Sequence, residues 1–225
     1  MGKKNKTRKF QENLTFKNLI QHQFCGNTAE KFYLQGQWNK NYFLNQNPIW
    51  LELGCGKGEY TLYNSSKNPE INCIGIDVKG ARIWKGAKTA LKQDLTNAAF
   101  LRGQIQWLDR YFRQDEIDKI WIVFPDPHPK YRKAKNRLTN PIYLDIYARV
   151  LKPNNRIYLK TDSEFLFGYT LGILENYPSK IHQVVLDVHS SQQSPQDAKQ
   201  VITFYEKGFI EKGKSIKFIC FELLK

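Results

Sequence analysis

Leu51-Glu52-Leu53-Gly54-Cys55-Gly56-Lys57-Gly58 follows the short apolar run Pro48-Ile49-Trp50. Glycines clustered where a strand ends let the backbone turn sharply and lie bare against a bulky ligand. The spacing narrows the choice of ligand. A dinucleotide turn, G-x-G-x-x-G, needs a small residue where Glu59 stands, so that helix and sheet can pack closely. The phosphate loop, G-x-x-x-x-G-K-[ST], needs glycine at that same place. Both are therefore disfavoured.

The next apolar run, Cys73-Ile74-Gly75-Ile76, closes on Asp77. An acidic residue about 20 positions beyond the first glycine ends the second strand of such folds and accepts hydrogen bonds from ribose hydroxyls. G-x-G-x-G preceded by Glu52 suits an adenosyl ligand without a pyrophosphate, such as S-adenosylmethionine. Further strands are expected at 49–53, 72–76, 98–102, 119–124, 156–160, 181–188 and 214–222. Helices are expected at 59–67, 105–112, 141–151, 163–176 and, most clearly, 79–94, where Ala81, Trp84, Ala87 and Leu91 mark one face. Pro153-Asn154-Asn155 reads as the turn into the fifth strand. This alternation predicts an α/β fold with a mostly parallel, doubly wound sheet and an antiparallel pair at one edge. Ligands in such sheets sit beyond the strand carboxyl ends, where Gly54–Gly58, Asp77, Gln104, Asp126 and Asp162 fall.

The chain has 225 residues, enough for one such domain over 48–225. Residues 1–47 read as a basic, Asn/Gln-rich extension, mobile over its first ten residues, with later aromatics packing on the domain. No apolar stretch suggests a signal peptide or a membrane span. The four cysteines, Cys25, Cys55, Cys73 and Cys220, show no C-x-x-C pairing and read as reduced thiols of a cytoplasmic protein. The histidines lack metal-ligand spacing, so no metal is expected. Lys and Arg exceed Asp and Glu by 35 to 21, a net charge of +14. The excess is clustered at Lys3–Lys9 and Lys130–Arg137, which favours a polyanionic partner, nucleic acid above all.

A second motif follows the fourth strand. Ile120-Trp121-Ile122-Val123-Phe124 runs into Pro125-Asp126-Pro127-His128-Pro129-Lys130. Alternating prolines are expected to hold this segment extended and to present one acid at a strand end. With Gly75-Ile76-Asp77-Val78, Leu159-Lys160-Thr161-Asp162 and Thr203-Phe204-Tyr205-Glu206 in this order, the chain resembles the bacterial single-subunit tRNA (guanine-N7)-methyltransferases over about residues 48–222. The proline loop and the two downstream motifs carry most of that specificity, since many methyltransferases share the glycine turn.

The resemblance implies a Rossmann-like class I S-adenosylmethionine-dependent methyltransferase with a seven-stranded sheet and helices on both faces. It implies methylation of guanine N7 in tRNA, at a variable-loop guanosine, by a monomer or a homodimer. Glu52, Gly54, Gly56, Gly58, Asp77, Gln104 and Asp126 match cofactor positions, and Asp126 also the methyl-transfer site. Lys130, Asp162, Thr203 and Glu206 match substrate positions. Arg132, Lys133, Lys135 and Arg137 fall in the loop that would follow the tRNA backbone. Three departures stand out: Gln104 replaces an acid, His128 a frequent Trp, and the basic loop lacks its usual His and one Arg. Thr161-x-x-Glu164 and Thr203-x-x-Glu206 also fit a helix capping box. Two other readings stay open: a methyltransferase of another nucleic-acid position, and a cofactor-binding RNA-binding subunit without turnover.

Overall fold

The computed structural model describes residues 3–22 and 32–225. Phe24 and Cys25 lie outside the described residues. One sheet contains β1 (Leu19–Gln21), β2 (Ile49–Leu53), β3 (Asn72–Asp77), β4 (Ala98–Arg102), β5 (Ile117–Val123), β6 (Leu151–Thr161), β7 (Ser179–Val185) and β8 (Lys217–Leu223). Their spatial order is β1-β4-β3-β2-β5-β6-β8-β7. The first six pair in parallel, and β8 runs antiparallel between β6 and β7. The order reverses direction beside β2, which places the Gly54–Gly58 turn at the topological switch point.

The sheet is covered on both faces, so its central strands read as nearly unbroken apolar runs. Side chains alternate along each strand. Leu51, Ile74, Ile120 and Leu159 share one cluster with α4 (Leu108–Tyr111), α5 (Pro141–Val150) and α6 (Glu164–Glu175). Phe100, Trp121 and Phe218 face the other way. They meet α2 (Glu59–Lys67) through Tyr60, α3 (Gly80–Lys92) through Ile83 and Ala87, and α7 (Gln196–Gln200) through Ala198. The last helix, α8 (Phe204–Ile210), sits at the carboxyl end of the strands beside the site.

Several expectations change. The sheet has eight strands, because Leu19–Gln21 adds a parallel edge strand with Leu19 opposite Phe100. Three residues are too few for an alternation to be read. Lys3–Asn13 forms α1. It lies along α3, where Trp84 donates to Glu12 (2.9 Å) and Lys9 sits 4.4 Å from the Trp84 ring. Trp84 therefore serves the α1 seam, while Ile83, Ala87 and Ala90 face the sheet. Trp38 is fully buried, donates to the Tyr111 carbonyl (3.0 Å) and stacks on Phe112. Leu19–Gln21 thus belongs to the sheet and Trp38 to the core. Pro153–Asn155 is not a turn before the strand. Leu151 already pairs with Ile117, and a register shift lets β6 absorb Asn154 at φ +62°.

Candidate active site

Gly54, Gly56 and Gly58 all have positive φ (+71°, +56° and +72°), a region that costs other L-residues about 1–2 kcal/mol. Gly54 and Gly58 need glycine for different further reasons. A Cβ on Gly54 would meet nothing within 4 Å, so the backbone lies open to a cavity of about 290 Å³. A Cβ on Gly58 would come within 2.4 Å of the Phe100 ring. Asp77 spans the turn. One carboxylate oxygen accepts from Gly56 N–H (2.9 Å) and the other from Lys79 N–H (2.7 Å). Gly54, Asp77, Gln104, Asp126 and His128 all line this cavity. The bare turn, the acid at the end of β3 and the amide at the end of β4 fit an adenosyl ligand. Gln104 has its amide oxygen engaged by Gln106.

A second cavity, about 720 Å³, opens beside the first. Asp162, Tyr205 and Lys214 line it, and Arg82, Phe124, Pro125 and Asp126 wall both cavities. Asp126 and Asp162 thus face one space, with Asp126 at the junction. The proline loop is less extended than expected. Phe124 and His128, each before a proline, take φ +48° and +44°. These backbone bends turn the loop around Asp126 at a strain of about 1–3 kcal/mol each.

The basic stretch after the loop divides. Lys130, Arg132, Lys133 and Lys135 are exposed, whereas Arg137 is 5% exposed. Arg137 donates to the His128 carbonyl from Nε (3.1 Å) and Nη2 (3.0 Å), and lies over the rings of Phe165 and Tyr169. Its assignment to the tRNA backbone is therefore corrected: the guanidinium is enclosed by protein.

A putative-methyltransferase family profile matches residues 46–219. A tRNA (guanine-N(7)-)-methyltransferase of Christiangramia forsetii is 48% identical over 99% of this chain and 100% of its own length. One of the same name from Porphyromonas gingivalis is 42% identical over 93% of this chain and 86% of its own. This chain belongs to the tRNA (guanine-N7)-methyltransferase family. Among solved structures, the 16S rRNA methyltransferase KamB superposes with a TM-score of 0.62 at 12% identity, over 86% of this chain and 94% of that one. That likeness carries the fold alone, the α/β sheet of the class I methyltransferase type.

Within this family member, three other expected contacts have different work. Glu52 follows Leu51 along β2, so it projects to the opposite face, toward α2. There it accepts from Thr61 N–H (2.8 Å) and Thr61 Oγ1 (2.6 Å), and it is absent from the cavity lining. Thr203 and Glu206 close a complete capping box at the start of α8. Both are buried, Glu206 completely. The Glu206 carboxylate binds Lys160 (2.6 Å) and His189 (2.8 Å). That segment reaches the larger cavity through Tyr205 instead. Glu59, the residue that disfavours a dinucleotide turn, accepts from Phe204 N–H (2.9 Å), and Lys57 lies 3.5 Å from the Phe204 ring. Helix α8 therefore rests on the glycine turn.

Sequence reasoning missed Arg82, Phe124 and Lys214. Arg82 carries no motif of its own, and only its place five residues after Asp77 could have pointed to a ligand. Burial also governs the ionisable groups under the turn. It raises the Cys55 thiol well above its usual pKa, and the Glu52 and Asp77 carboxylates push it further. It raises Glu52 from 4.5 to about 7 against the hydrogen bonds from Thr61. A raised carboxyl pKa means the folded state holds a proton that the unfolded chain has lost. Glu52 thus stabilises the fold fully below about pH 4.5, and that contribution fades as pH rises to about 7. Glu52→Gln keeps an acceptor for Thr61 and removes the titration. It is expected to flatten the stability profile across this window by on the order of 3 kcal/mol. Denaturant unfolding at several pH values measures this, and parallel profiles for the two proteins would contradict it.

Among the described residues, no helix is long and apolar enough to cross a membrane, and no group of three or more His, Cys, Asp or Glu is placed to hold a metal.

Proposed function

We propose that this chain transfers the methyl group of S-adenosylmethionine to N7 of a guanine in tRNA, through the two cavities that meet at Asp126. The observation that carries this is the shared wall: Asp126 faces the glycine turn and Asp77 on one side and Asp162 on the other. The family relatives are named for this reaction.

Bound S-adenosylmethionine supplies a methyl on a positive sulfur, and guanine N7 offers an in-plane lone pair, so the new N–C bond forms as the S–C bond breaks and no proton leaves N7. A strong general base is therefore unnecessary. The work of the chain is alignment, which supplies on the order of 7–11 kcal/mol when reacting atoms are held about 3–3.5 Å apart. Gly54 presents bare backbone to the adenosyl group, Gly56 and Gly58 shape the turn behind it, and Asp77 and Gln104 accept its hydrogen bonds. Asp126 sits where positive charge passes from sulfur to the purine, and a carboxylate there favours that transfer. Asp162 accepts from the N–H edge of guanine. Thr203 and Glu206 position α8, and with it Tyr205.

Lys130, Arg132, Lys133 and Lys135 form an exposed cationic run between His128 and Asn136, which line the cavity beside the glycine turn. Phosphate contacts of this kind place the RNA without reading its sequence and weaken with salt. Work on tRNA implies the cytoplasm.

The test is mass spectrometry of nucleosides from unmodified tRNA incubated with the protein and S-adenosylmethionine. N7-methylguanosine is the expected product. A methyl group on any other position, or none, overturns the reading.

A further inference from the structure

We propose that Arg137 is a positioning residue for methyl transfer: it clamps the proline loop so that Asp126 is held at a fixed place opposite Asp162. This rests on the function proposed above and names a residue for which the family resemblance suggested only an RNA contact.

Four observations support the clamp. Arg137 is the buried member of an otherwise exposed basic run. Its Nε and Nη2 donate to backbone carbonyls of the loop: the His128 carbonyl from both, and the Pro129 carbonyl from Nη2 (3.4 Å). The His128 backbone that receives two of these bonds is in the strained left-handed region. The guanidinium also stacks against Phe165 (4.7 Å) and Tyr169 (4.3 Å) of α6, and Asn140 donates to the Tyr169 hydroxyl (3.1 Å).

The consequence follows from what lies next to each contact. His128 is two residues from Asp126 and itself lines the cofactor cavity. Helix α6 begins directly after Asp162 and Ser163, which line the larger cavity. One guanidinium therefore ties the wall carrying Asp126 to the wall carrying Asp162. A loop with prolines at 125, 127 and 129 lacks N–H donors at those positions, so it cannot brace itself with a regular ladder. Its bends at Phe124 and His128 need support from outside. Lysine cannot replace arginine here, because it has neither a planar fork for one carbonyl nor a flat face for two rings.

The experiment compares Arg137→Lys and Arg137→Gln with Lys133→Ala, which removes an exposed cation. With unmodified tRNA, Arg137→Lys is expected to lower kcat by about 10–100-fold, the scale of a misplaced reacting group. Its tRNA affinity should stay within about twofold of the parent at each salt concentration, because the net charge is kept. Lys133→Ala should do the reverse, raising KM and lowering the salt slope by about 1 with kcat kept. An unchanged kcat in Arg137→Lys, or Arg137 variants that reproduce the Lys133→Ala pattern, overturns the clamp.

Amide hydrogen exchange supplies a readout without turnover. Exchange at Phe124 and Lys133, whose N–H groups are bonded to the Lys160 and Lys130 carbonyls at the two ends of the loop, is expected to accelerate in both Arg137 variants, with no tRNA present. Unaltered exchange also overturns the proposal. Should the parent protein make no N7-methylguanosine while exchange still depends on Arg137, the proposed reaction fails and the clamp stands. If Arg137→Gln does not fold, Arg137→Lys alone decides.

Discussion

Glu206→Gln is expected to lower the unfolding free energy by about 3–5 kcal/mol, the cost of leaving one partner of a buried ion pair alone. Lys160 and Glu206 are both fully buried, 2.6 Å apart. Burial pushes the Lys160 ammonium below the ordinary lysine pKa, and Glu206 pulls it back up. In Glu206→Gln the amine keeps the carbonyls of Ala198 (2.6 Å) and Val201 (3.1 Å) and gains only a neutral amide oxygen in place of the carboxylate. These satisfy hydrogen bonds but do not neutralise a charge. A lysine whose folded pKa lies below its unfolded value gains stability as pH climbs through the folded value, so the deficit of the variant should shrink in alkali. Lys160→Met combined with Glu206→Gln should recover much of the loss, since no buried charge remains. Denaturant unfolding of the single and double variants measures both effects. A loss under about 1 kcal/mol in Glu206→Gln would show that the pair contributes no more than an exposed one.

Asp162→Ala should cut the rate of tRNA methylation by about 100-fold or more, the usual effect of removing one positioned polar group from a reacting centre. The cofactor affinity should change little, because Asp162 lines the larger cavity and not the cavity beside the glycine turn. At rest Asp162 is paired with Lys214 (2.8 Å), whose ammonium is half exposed. An entering guanine edge can share the carboxylate with that lysine, since each carboxylate oxygen accepts more than one hydrogen bond. Asp162→Asn keeps one acceptor oxygen and should fall between the parent and Asp162→Ala. Equilibrium binding of the cofactor and single-turnover methylation separate the two effects. Full turnover in Asp162→Ala would remove this carboxylate from the reaction.

The central fold was readable because its signals are local. The apolar runs at 49–53 and 98–102 and the helix at 59–67 are found with those bounds. Glycines, prolines and β-branched runs report backbone requirements that neighbours alone decide. What failed depends on distant packing. Arg137 reads as one more cation until Phe165 and Tyr169, a whole helix away in sequence, enclose it. Lys160 sits beside the more telling Asp162, and nothing nearby in sequence announces its partner Glu206. The capping box at Thr203 was legible as one of two readings, and the geometry builds the cap. Glu52 was also within reach of the sequence. Alternation along β2 sends it to the face opposite Leu51 and Leu53, away from an assignment based on motif alone.

The thiol in the middle of the glycine turn carries a hazard that the fold averts. A sulfonium methyl alkylates thiolates more readily than most nucleophiles, and Cys55 stands between the glycines that would cradle it. Enclosure and two neighbouring carboxylates keep that sulfur protonated, hence sluggish. The side chain also turns into the core against Gly75 and does not line the cavity, so the sulfur is kept apart from a reagent seated there.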